Sequence, residues 1–242
     1  MRVLVVGGSK EYVGALYLAG VAALRAGAES VIVMAPEKIA WALNALSPDL
    51  MTRKLKGDYL RRAHEREIRK QMKTAKILLL GNGVGMRRET VALMRSLMRS
   101  PLPKVVDADA LKALRGNAVL NAILTPNEGE WKLLEKHNDV KKLLETGNII
   151  IQKGSPTKIW TRRVHILVRP NRGLSKAGMG DVLAGMCAGF LASGFSPREA
   201  AEKACETGNT IANILTKRKR GYYFLASDLA AELRRRKRRH AS

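Results

Sequence analysis

The chain has 242 residues, of which 46% are hydrophobic, and its 44 Lys and Arg against 21 Asp and Glu give a formal net charge of +23. This length suffices for one large domain with a buried core, and two cysteines are too few for a disulfide framework. No stretch reaches the ~18 apolar residues of a membrane-spanning helix, and the opening "MRVLVVGG" is too short for a signal peptide. We therefore expect a soluble, cytoplasmic protein with a single domain over residues 1–242 and no membrane partner.

Short apolar runs followed by Gly, Pro or acidic residues predict strands along the chain. In chain order they are "RVLVV" (Arg2–Val6), "SVIVMAP" (30–36), "AKILLL" (75–80), "KVV" (Lys104–Val106), "NAIL" (121–124), a strand in "GNIIIQKGSP" that ends at Lys153-Gly154, and a hairpin in "TKIWTRRVHILVR" (157–169). Between and after them, helical spacing predicts helices. These are "YVGALYLAGVAALRAGA" (12–28), the basic stretch Arg53–Lys73, "ETVALMRSLMR" (89–99), "NEGEWKLLEK" (127–136), Val182–Ser193, Pro197–Leu215 and Ala226–Arg238.

The alternation of strands and helices predicts an α/β domain with a mostly parallel sheet. Glycines, acids and a lysine follow the predicted strands. Because ligands bind at the carboxyl edge of open parallel sheets, we expect these residues to meet in one crevice. They are Gly7–Gly8, Gly81–Gly85, Asp107 and Asp109, Asn127–Glu130, Lys153–Gly154 and Gly178–Asp181.

The stretch "KAGMGDVLAGMCAGF" places Asp181 directly after Gly178-Met179-Gly180 and before a predicted helix. One interpretation is an acid that caps the helix and offsets its dipole. The other is an anion site made of open glycine N–H groups, with Asp181 beside it as the acceptor of a hydroxyl proton. On this stretch alone both stay open. The small residues that follow, Ala184, Gly185, Ala188 and Gly189, predict the close approach of another element.

Other motifs are weak one by one. In "VVDADAL", Asp107 is suited to point into the crevice, whereas capping the next helix is the favoured role for Asp109. "LGNGVG" (80–85) is typical of a plain turn, and "QKGSPT" offers Lys153 and Gly154 to a phosphate. The spacing Gly-x-Gly-x-x-Gly is absent from Gly7–Ala15, and no P-loop is present.

Basic residues concentrate in Arg53–Lys73 and in the closing "LRRRKRRHAS". A positive field attracts polyanions such as nucleic acid, but neither stretch has the interleaved aromatic residues of a single-strand binding surface. We therefore favour a solvated helix face and a disordered basic tail over about 234–242, with nucleic acid as the less favoured partner. A third interpretation is a field that steers a phosphorylated substrate.

Cys187 and Cys205 lie in apolar helical patterns and are interpreted as core thiols. The four histidines show no ligand spacing, so no metal-ligating residue is assigned.

Taken together and in order, the motifs are specific. They are "GGSKEYVGALYLAGVAALRAGA", "GNGVG", "VVDADAL", "LTPNEGE", "QKGSPTKI", "KAGMGDVLAGMCAGFLASG" and "ASDLAAEL". The sequence resembles the NAD(P)H-hydrate dehydratase family over nearly its whole length. The resemblance implies a ribokinase-like fold, a three-layer α/β/α arrangement around a mostly parallel central sheet. It also implies the ADP- or ATP-dependent dehydration, assisted by Mg²⁺, of (6S)-NADHX and NADPHX to NADH and NADPH, and a homo-oligomer such as a tetramer.

The resemblance further implies roles for single residues. Asp181 would be the catalytic base, and the N–H groups of Gly178, Met179 and Gly180 the anion hole. The nucleotide would contact Lys153, Gly154, Ser155, Pro156, Thr157 and Gly180. The hydrated dinucleotide would contact Ala15, Gly83 or Gly85, Asp107, Asn127 and Asp181. Asn127 departs from the family, which usually has Thr-Pro-His-Pro-Gly-Glu where this chain has "TPNEGE".

Two alternatives stay open. The first is a kinase of the same fold that phosphorylates a small hydroxylated substrate, with Asp181 in the same role; Asn127 leaves room for it. The second is a basic RNA-binding relative, which would need the two basic stretches to form one face.

Overall fold

The computed structural model describes residues 1–233, and within them nine strands form one sheet. The strands are β1 (Arg2–Val6), β2 (Ser30–Pro36), β3 (Met51–Leu55), β4 (Ile77–Leu80), β5 (Lys104–Val106), β6 (Ala122–Leu124), β7 (Ile149–Gln152), β8 (Thr157–Trp160) and β9 (His165–Val168). Their order across the sheet is β3-β2-β1-β4-β5-β6-β7-β8-β9. Neighbours from β3 to β7 pair in parallel, and β8 and β9 continue the sheet as an antiparallel hairpin.

Helices cover both faces of this sheet. They are α1 (Gly14–Arg25), α2 (Glu37–Leu46), α3 (Glu65–Met72), α4 (Arg88–Met98), α5 (Asp109–Ala113), α6 (Glu128–His137), α7 (Val140–Glu145), α8 (Met179–Ala192), α9 (Pro197–Arg218) and α10 (Ala226–Glu232). Side chains alternate along β1: Val3 and Val5 pack with α1, α2 and α8–α10, whereas Leu4 and Val6 pack with α3–α7. The predicted three-layer α/β/α fold with a mostly parallel sheet is confirmed.

Helix α8 packs directly on α1 through glycine. A Cβ atom on Gly185 would lie 2.2 Å from the carbonyl oxygen of Ala19, and one on Gly189 would lie 2.4 Å from that of Ala23. Only hydrogen fits between the two backbones, which confirms the close approach predicted from the small residues. The contact fixes α8 against α1.

The prediction of a helix over Arg53–Lys73 was wrong in its first part. The chain forms the edge strand β3 up to Leu55, and the α-helix begins only at Glu65, after a 3₁₀ turn at Arg62–His64. The first four residues of β3 are exposed or half-buried, and lysine and arginine are well tolerated on an edge strand because they oppose edge-to-edge pairing.

The boundaries of other helices also differ from the predictions. Helix α8 begins at Met179 rather than Val182, so Gly180 and Asp181 lie within its first turn, and α9 extends beyond Leu215 to Arg218. Helix α2 was not predicted. Helix α10 runs over Ala226–Glu232, and the rest of the helix predicted up to Arg238 and the tail predicted to be disordered, 234–242, lie outside the described residues.

Both cysteines are free and buried, which confirms them as core thiols. In the part of the chain that the structure describes, no helix has the length and apolarity to cross a membrane.

Candidate active site

The order in which strands are added to the sheet changes direction between β1 and β4, which is the topological switch point of the sheet. Strands β2 and β3 lie on one side of β1, and β4 to β7 lie on the other. At such a switch point the loops after the two strands diverge and leave a crevice at the carboxyl edge. Here the N–H of Gly8 donates to the carbonyl oxygen of Asn82 at 2.8 Å, so the two loops are joined at the base of the crevice.

Polar side chains that follow four neighbouring strands, β4 to β7, form a cluster in this crevice. The amide of Asn82, after β4, donates to Asp181 Oδ1 at 2.7 Å and to Asp107 Oδ2 at 3.0 Å. Asp107, after β5, accepts the Thr125 hydroxyl at 2.6 Å and the Lys153 ammonium at 3.0 Å. The crevice therefore brings Asp107, Lys153 and Asp181 together as the sequence predicted.

Lys153 links the carboxylates to the first turn of α8. Its Nζ lies 3.0 Å from Asp107 and 4.0 Å from Glu130. Burial by itself lowers the pKa of Lys153, but the charges of Asp107 and Glu130 outweigh this effect and raise the pKa. Burial also raises the pKa of Glu130, and Lys153 opposes that rise. A Cβ atom on Gly180 would lie 3.1 Å from Nζ, so the ammonium faces the helix N-terminus.

Asp181 is the third residue of α8, and its carboxylate faces the cluster instead of capping the helix. The N-cap is Gly178, in a left-handed conformation with φ of 82°, and no side chain caps the helix. Burial raises the pKa of Asp181 from its ordinary 3.8 to about 6; Asp107 adds to the rise, and the Asn82 hydrogen bond opposes it. A carboxylate with this pKa is well matched to accept a proton near neutral pH.

The first turn of α8 presents open N–H groups beside Asp181. The N–H of Gly178, Gly180 and Asp181 donate to no other residue within 1–233, whereas Met179 donates to the carbonyl oxygen of Lys176 at 3.3 Å. Two of the three N–H groups predicted for an anion hole are therefore open, and that of Asp181 joins them. A helix N-terminus with free donors favours an anion.

A cavity of about 950 Å³ lies next to this turn. Of the residues predicted to contact a nucleotide, it is lined by Lys153, Gly154, Ser155, Thr157 and Gly180. Pro156 does not line it. The volume lies within the range of small-molecule sites, at its upper end.

Asn127 also lines this cavity, and its side chain caps α6. Its Oδ1 accepts the N–H of Glu130 at 2.9 Å, and the Glu130 carboxylate accepts the N–H of Asn127 at 2.9 Å. This reciprocal capping box holds Glu130 in place near Lys153.

The other predicted substrate contacts lie toward β1. Gly83 and Gly85 have left-handed backbones, and a Cβ atom on Gly83 would lie 2.6 Å from that of Tyr12. Ala15 is half-buried in the first turn of α1. None of Ala15, Gly83 and Gly85 lines the cavity, so these three predicted dinucleotide contacts lie apart from the candidate nucleotide contacts, whereas Asn127 lies among them.

The role predicted for Asp109 was wrong. Asp109 is the first residue of α5, whose N-cap is Ala108, and no side chain caps that helix. Its carboxylate instead accepts the N–H of Gly85 at 2.9 Å and pairs with Lys112 at 2.8 Å. Asp109 therefore fixes the glycine loop after β4.

Asn82 is the residue that the sequence interpretation missed, because "GNGVG" was taken as a plain turn. Its only signal is a polar side chain set between two glycines at the end of a buried strand. Within residues 1–233, no group of three or more His, Cys, Asp or Glu side chains is placed to hold a metal ion.

Fold and site together define an α/β protein with a phosphate-suited helix N-terminus beside a buried carboxylate. A solved ribokinase-like superfamily protein of Enterococcus faecalis is similar, with a TM-score of 0.80 at 22% identity over 96% of this chain and 85% of that one. The sequence matches the family model of NAD(P)H-hydrate dehydratase over residues 3–235, and the chain belongs to this family.

One curated relative supports this assignment, and one further solved structure shares the fold. The bifunctional NAD(P)H-hydrate repair enzyme Nnr of Pyrobaculum aerophilum is 36% identical over 99% of this chain. This chain spans only 51% of that relative's length. An ADP/ATP-dependent NAD(P)H-hydrate dehydratase of Bacillus subtilis, co-crystallized with ATP and Mg²⁺, has a TM-score of 0.78 at 23% identity, over 97% of this chain and 87% of that one.

Proposed function

We propose that this chain catalyses the ADP- or ATP-dependent dehydration of (6S)-NADHX and NADPHX, which restores NADH and NADPH. The observation that carries the proposal is the placement of the Asp181 carboxylate. It is held by Asn82 at 2.7 Å, has a pKa of about 6, and adjoins the open N–H groups of the α8 N-terminus. Membership of the dehydratase family supports the same reaction.

The residues beside α8 fit a nucleotide. Lys153 and the N–H of Gly180 offer a charge and a donor to anionic phosphates, and the cavity next to them has room for the rest of the molecule. A Cβ atom on Gly180 would lie only 3.1 Å from the Lys153 Nζ, so the ammonium lies close to the backbone of the first turn of α8. ATP, when bound, supplies the phosphoryl group that makes the ring hydroxyl a better leaving group.

In this proposal Asp181 takes the proton of the hydroxyl group on the hydrated nicotinamide ring. The donors at Gly178 and Gly180 stabilise the negative charge on the transferred group, and such fixed donors are often the largest contribution to a rate enhancement. Loss of phosphate from the ring, together with a proton from the neighbouring ring carbon, restores the double bond. Lys153 keeps Asp107 neutralised, so that Asp181 is the carboxylate left to act as base.

Mg²⁺ fits as a companion of the nucleotide. Asp107 and Glu130 are already engaged with Lys153, and residues 1–233 form no cage of three donors. Mg²⁺ is commonly held by substrate phosphates, water and one or two carboxylates. The proposal also takes from the family resemblance a cytoplasmic setting and a homo-oligomeric assembly.

The test is recovery of reduced-nicotinamide absorbance from hydrated NADH, with ADP, with ATP and with no nucleotide in separate cuvettes. The proposal predicts recovery that depends on ADP, on ATP or on both. The same assay identifies which nucleotide the chain uses. No recovery with either one contradicts it. The kinase of a small hydroxylated substrate would then be the function to test.

A further inference from the structure

A second cavity, of about 340 Å³, lies between the segment after β3 and the beginning of α4. Three arginines line it, Arg61, Arg87 and Arg88, together with the ring of Tyr59. We call it the arginine cavity. It is separate from the larger cavity beside α8, with which it shares no lining residue.

The walls of the arginine cavity are fastened to each other. The hydroxyl of Thr90 in α4 donates to the carbonyl oxygen of Leu60 at 2.6 Å, and both residues are buried. The guanidinium carbon of Arg87 lies 3.6 Å from the centroid of the Tyr59 ring, and the Tyr59 hydroxyl donates to Glu11 at 3.0 Å. Arg87 is therefore stacked in one orientation, which reduces the entropy that it loses on binding a ligand.

The cavity carries an excess of positive charge. None of its three guanidinium groups has a carboxylate within ion-pair distance among residues 1–233. Two acids also line the cavity: Asp58 pairs with Lys38 at 3.6 Å, and Glu89 has no ion-pair partner among the described residues, so the three arginines leave one positive charge in excess. Guanidinium groups match the geometry of phosphate oxygens and bind them with two parallel hydrogen bonds. The ligand chemistry indicated is a phosphate monoester.

The arginine cavity adjoins the candidate dinucleotide contacts. Arg87 follows the loop of Gly83 and Gly85, and Gly83 packs on Tyr12. Five residue steps separate Asn82, which holds Asp181, from Arg87, so their Cα atoms lie at most roughly 17 Å apart. That distance is within the reach of an extended dinucleotide whose nicotinamide ring is at Asp181.

We propose that the arginine cavity binds the 2′-phosphate that distinguishes NADPHX from NADHX, so that the chain prefers the phosphorylated dinucleotide. The proposal rests on the proposed function, because that function places the nicotinamide end at Asp181. An arginine that accepts a 2′-phosphate is also the usual way in which dinucleotide sites select NADP over NAD.

The test is calorimetric titration of the purified chain with NADPH and with NADH, which carry the same adenosine ends as the two hydrates. We expect NADPH to bind about tenfold more tightly at low ionic strength. Arg87→Ala is expected to bring the two affinities to within about twofold. The matched control is Arg99→Ala, an exposed arginine at the other end of α4, which is expected to retain the preference.

Equal affinity of the wild-type chain for NADPH and NADH would overturn the inference, and so would the absence of binding of either one. A preference that survives in both Arg87→Ala and the Arg61→Ala/Arg87→Ala double variant would also overturn it. The repair assay with hydrated NADH separates this result from the proposed function. If the chain repairs hydrated NADH but binds NADPH and NADH equally, the proposed function holds and the phosphate site is wrong. If it prefers NADPH in an arginine-dependent way but shows no repair, the phosphate site holds and the proposed function is wrong.

Discussion

The amide nitrogen of Asn82 lies 2.7 Å from the carboxylate of Asp181 and donates to it from a fully buried position. The same nitrogen donates to Asp107 at 3.0 Å, so one side chain orients two carboxylates from neighbouring elements. Donation to the charged form of Asp181 lowers its pKa and partly offsets the effect of burial. Asn82 is therefore a positioning residue for the proposed base.

Removing this donor is expected to change the pH dependence of the reaction. In Asn82→Ala, Asp181 loses the hydrogen bond that lowers its pKa, so the acidic limb of kcat/KM should move above pH 6, with turnover reduced about tenfold or more. The control is Asn148→Ala, which removes another fully buried asparagine, one that donates to Val119 and Leu143 far from the crevice. That variant should lose stability without a shift of the pH profile. An unchanged profile in Asn82→Ala would remove Asn82 from this role.

The wild-type chain itself is expected to lose activity as the pH falls through about 6. Protonation of Asp181, whose pKa is raised to about 6, leaves no base for the ring hydroxyl. The groups that face it are Asp107, Glu130 and Lys153; the raised pKa of Lys153 keeps it charged in this range, and the raised pKa of Glu130 adds a second protonation on the acidic side. A kcat/KM profile measured from pH 5 to 8.5 checks this, and a flat profile down to pH 5 speaks against Asp181 as base.

Asp181→Asn is expected to stabilise the fold. Because the pKa of Asp181 rises from 3.8 to about 6 on folding, ionisation opposes folding. This penalty is absent below about pH 4, develops between pH 4 and 6, and is complete above pH 6. Replacing the carboxylate by an amide should therefore raise the free energy of unfolding at pH 8 by about 3 kcal/mol. Urea unfolding at pH 8 and pH 4 measures the effect, and a variant less stable than wild type at pH 8 contradicts it.

Lys153→Ala is expected to weaken nucleotide binding about tenfold or more, because the ammonium beside Gly180 is lost. The variant also leaves Asp107 and Glu130 without their shared partner, so the fold should lose a few kcal/mol of stability. Lys132→Ala, an exposed lysine in α6, serves as the control. Calorimetric titration with ATP provides the affinity. If the alanine variant unfolds, Lys153→Gln, which keeps much of the side-chain length but removes the charge, is titrated instead. Unchanged affinity would place the phosphates elsewhere.

Much of the fold was predictable because its core strands are short apolar runs with clear ends. The parallel strands β1, β2 and β4 to β7 and the terminal hairpin lie where the sequence predicted them. Strand β3, "MTRKL", gave no such signal, because an edge strand needs no continuous apolar face. Its charges suggested an exposed helix instead.

The sequence predicted which residues meet in the site, but not all of the hydrogen bonds between them. The rule that ligands bind at the carboxyl edge of the sheet brought Asp107, Lys153 and Asp181 together. It did not show that Asn82 would join two of them, because a hydrogen bond between residues 99 positions apart has no local signature. The role of Asp109 was missed for a similar reason, since its partner is a backbone N–H in another loop.

The most direct measurement of the central claim is turnover of hydrated NADH by Asp181→Asn beside the wild-type chain, with the nucleotide that supports repair. We expect turnover to fall at least about a hundredfold, while the Kd of the nucleotide stays within about threefold because the α8 donors and Lys153 remain. Asp139→Asn, an equivalent change at the N-cap of α7, should leave turnover unchanged. Turnover by Asp181→Asn close to that of the wild-type chain would contradict the assignment of Asp181 as the base.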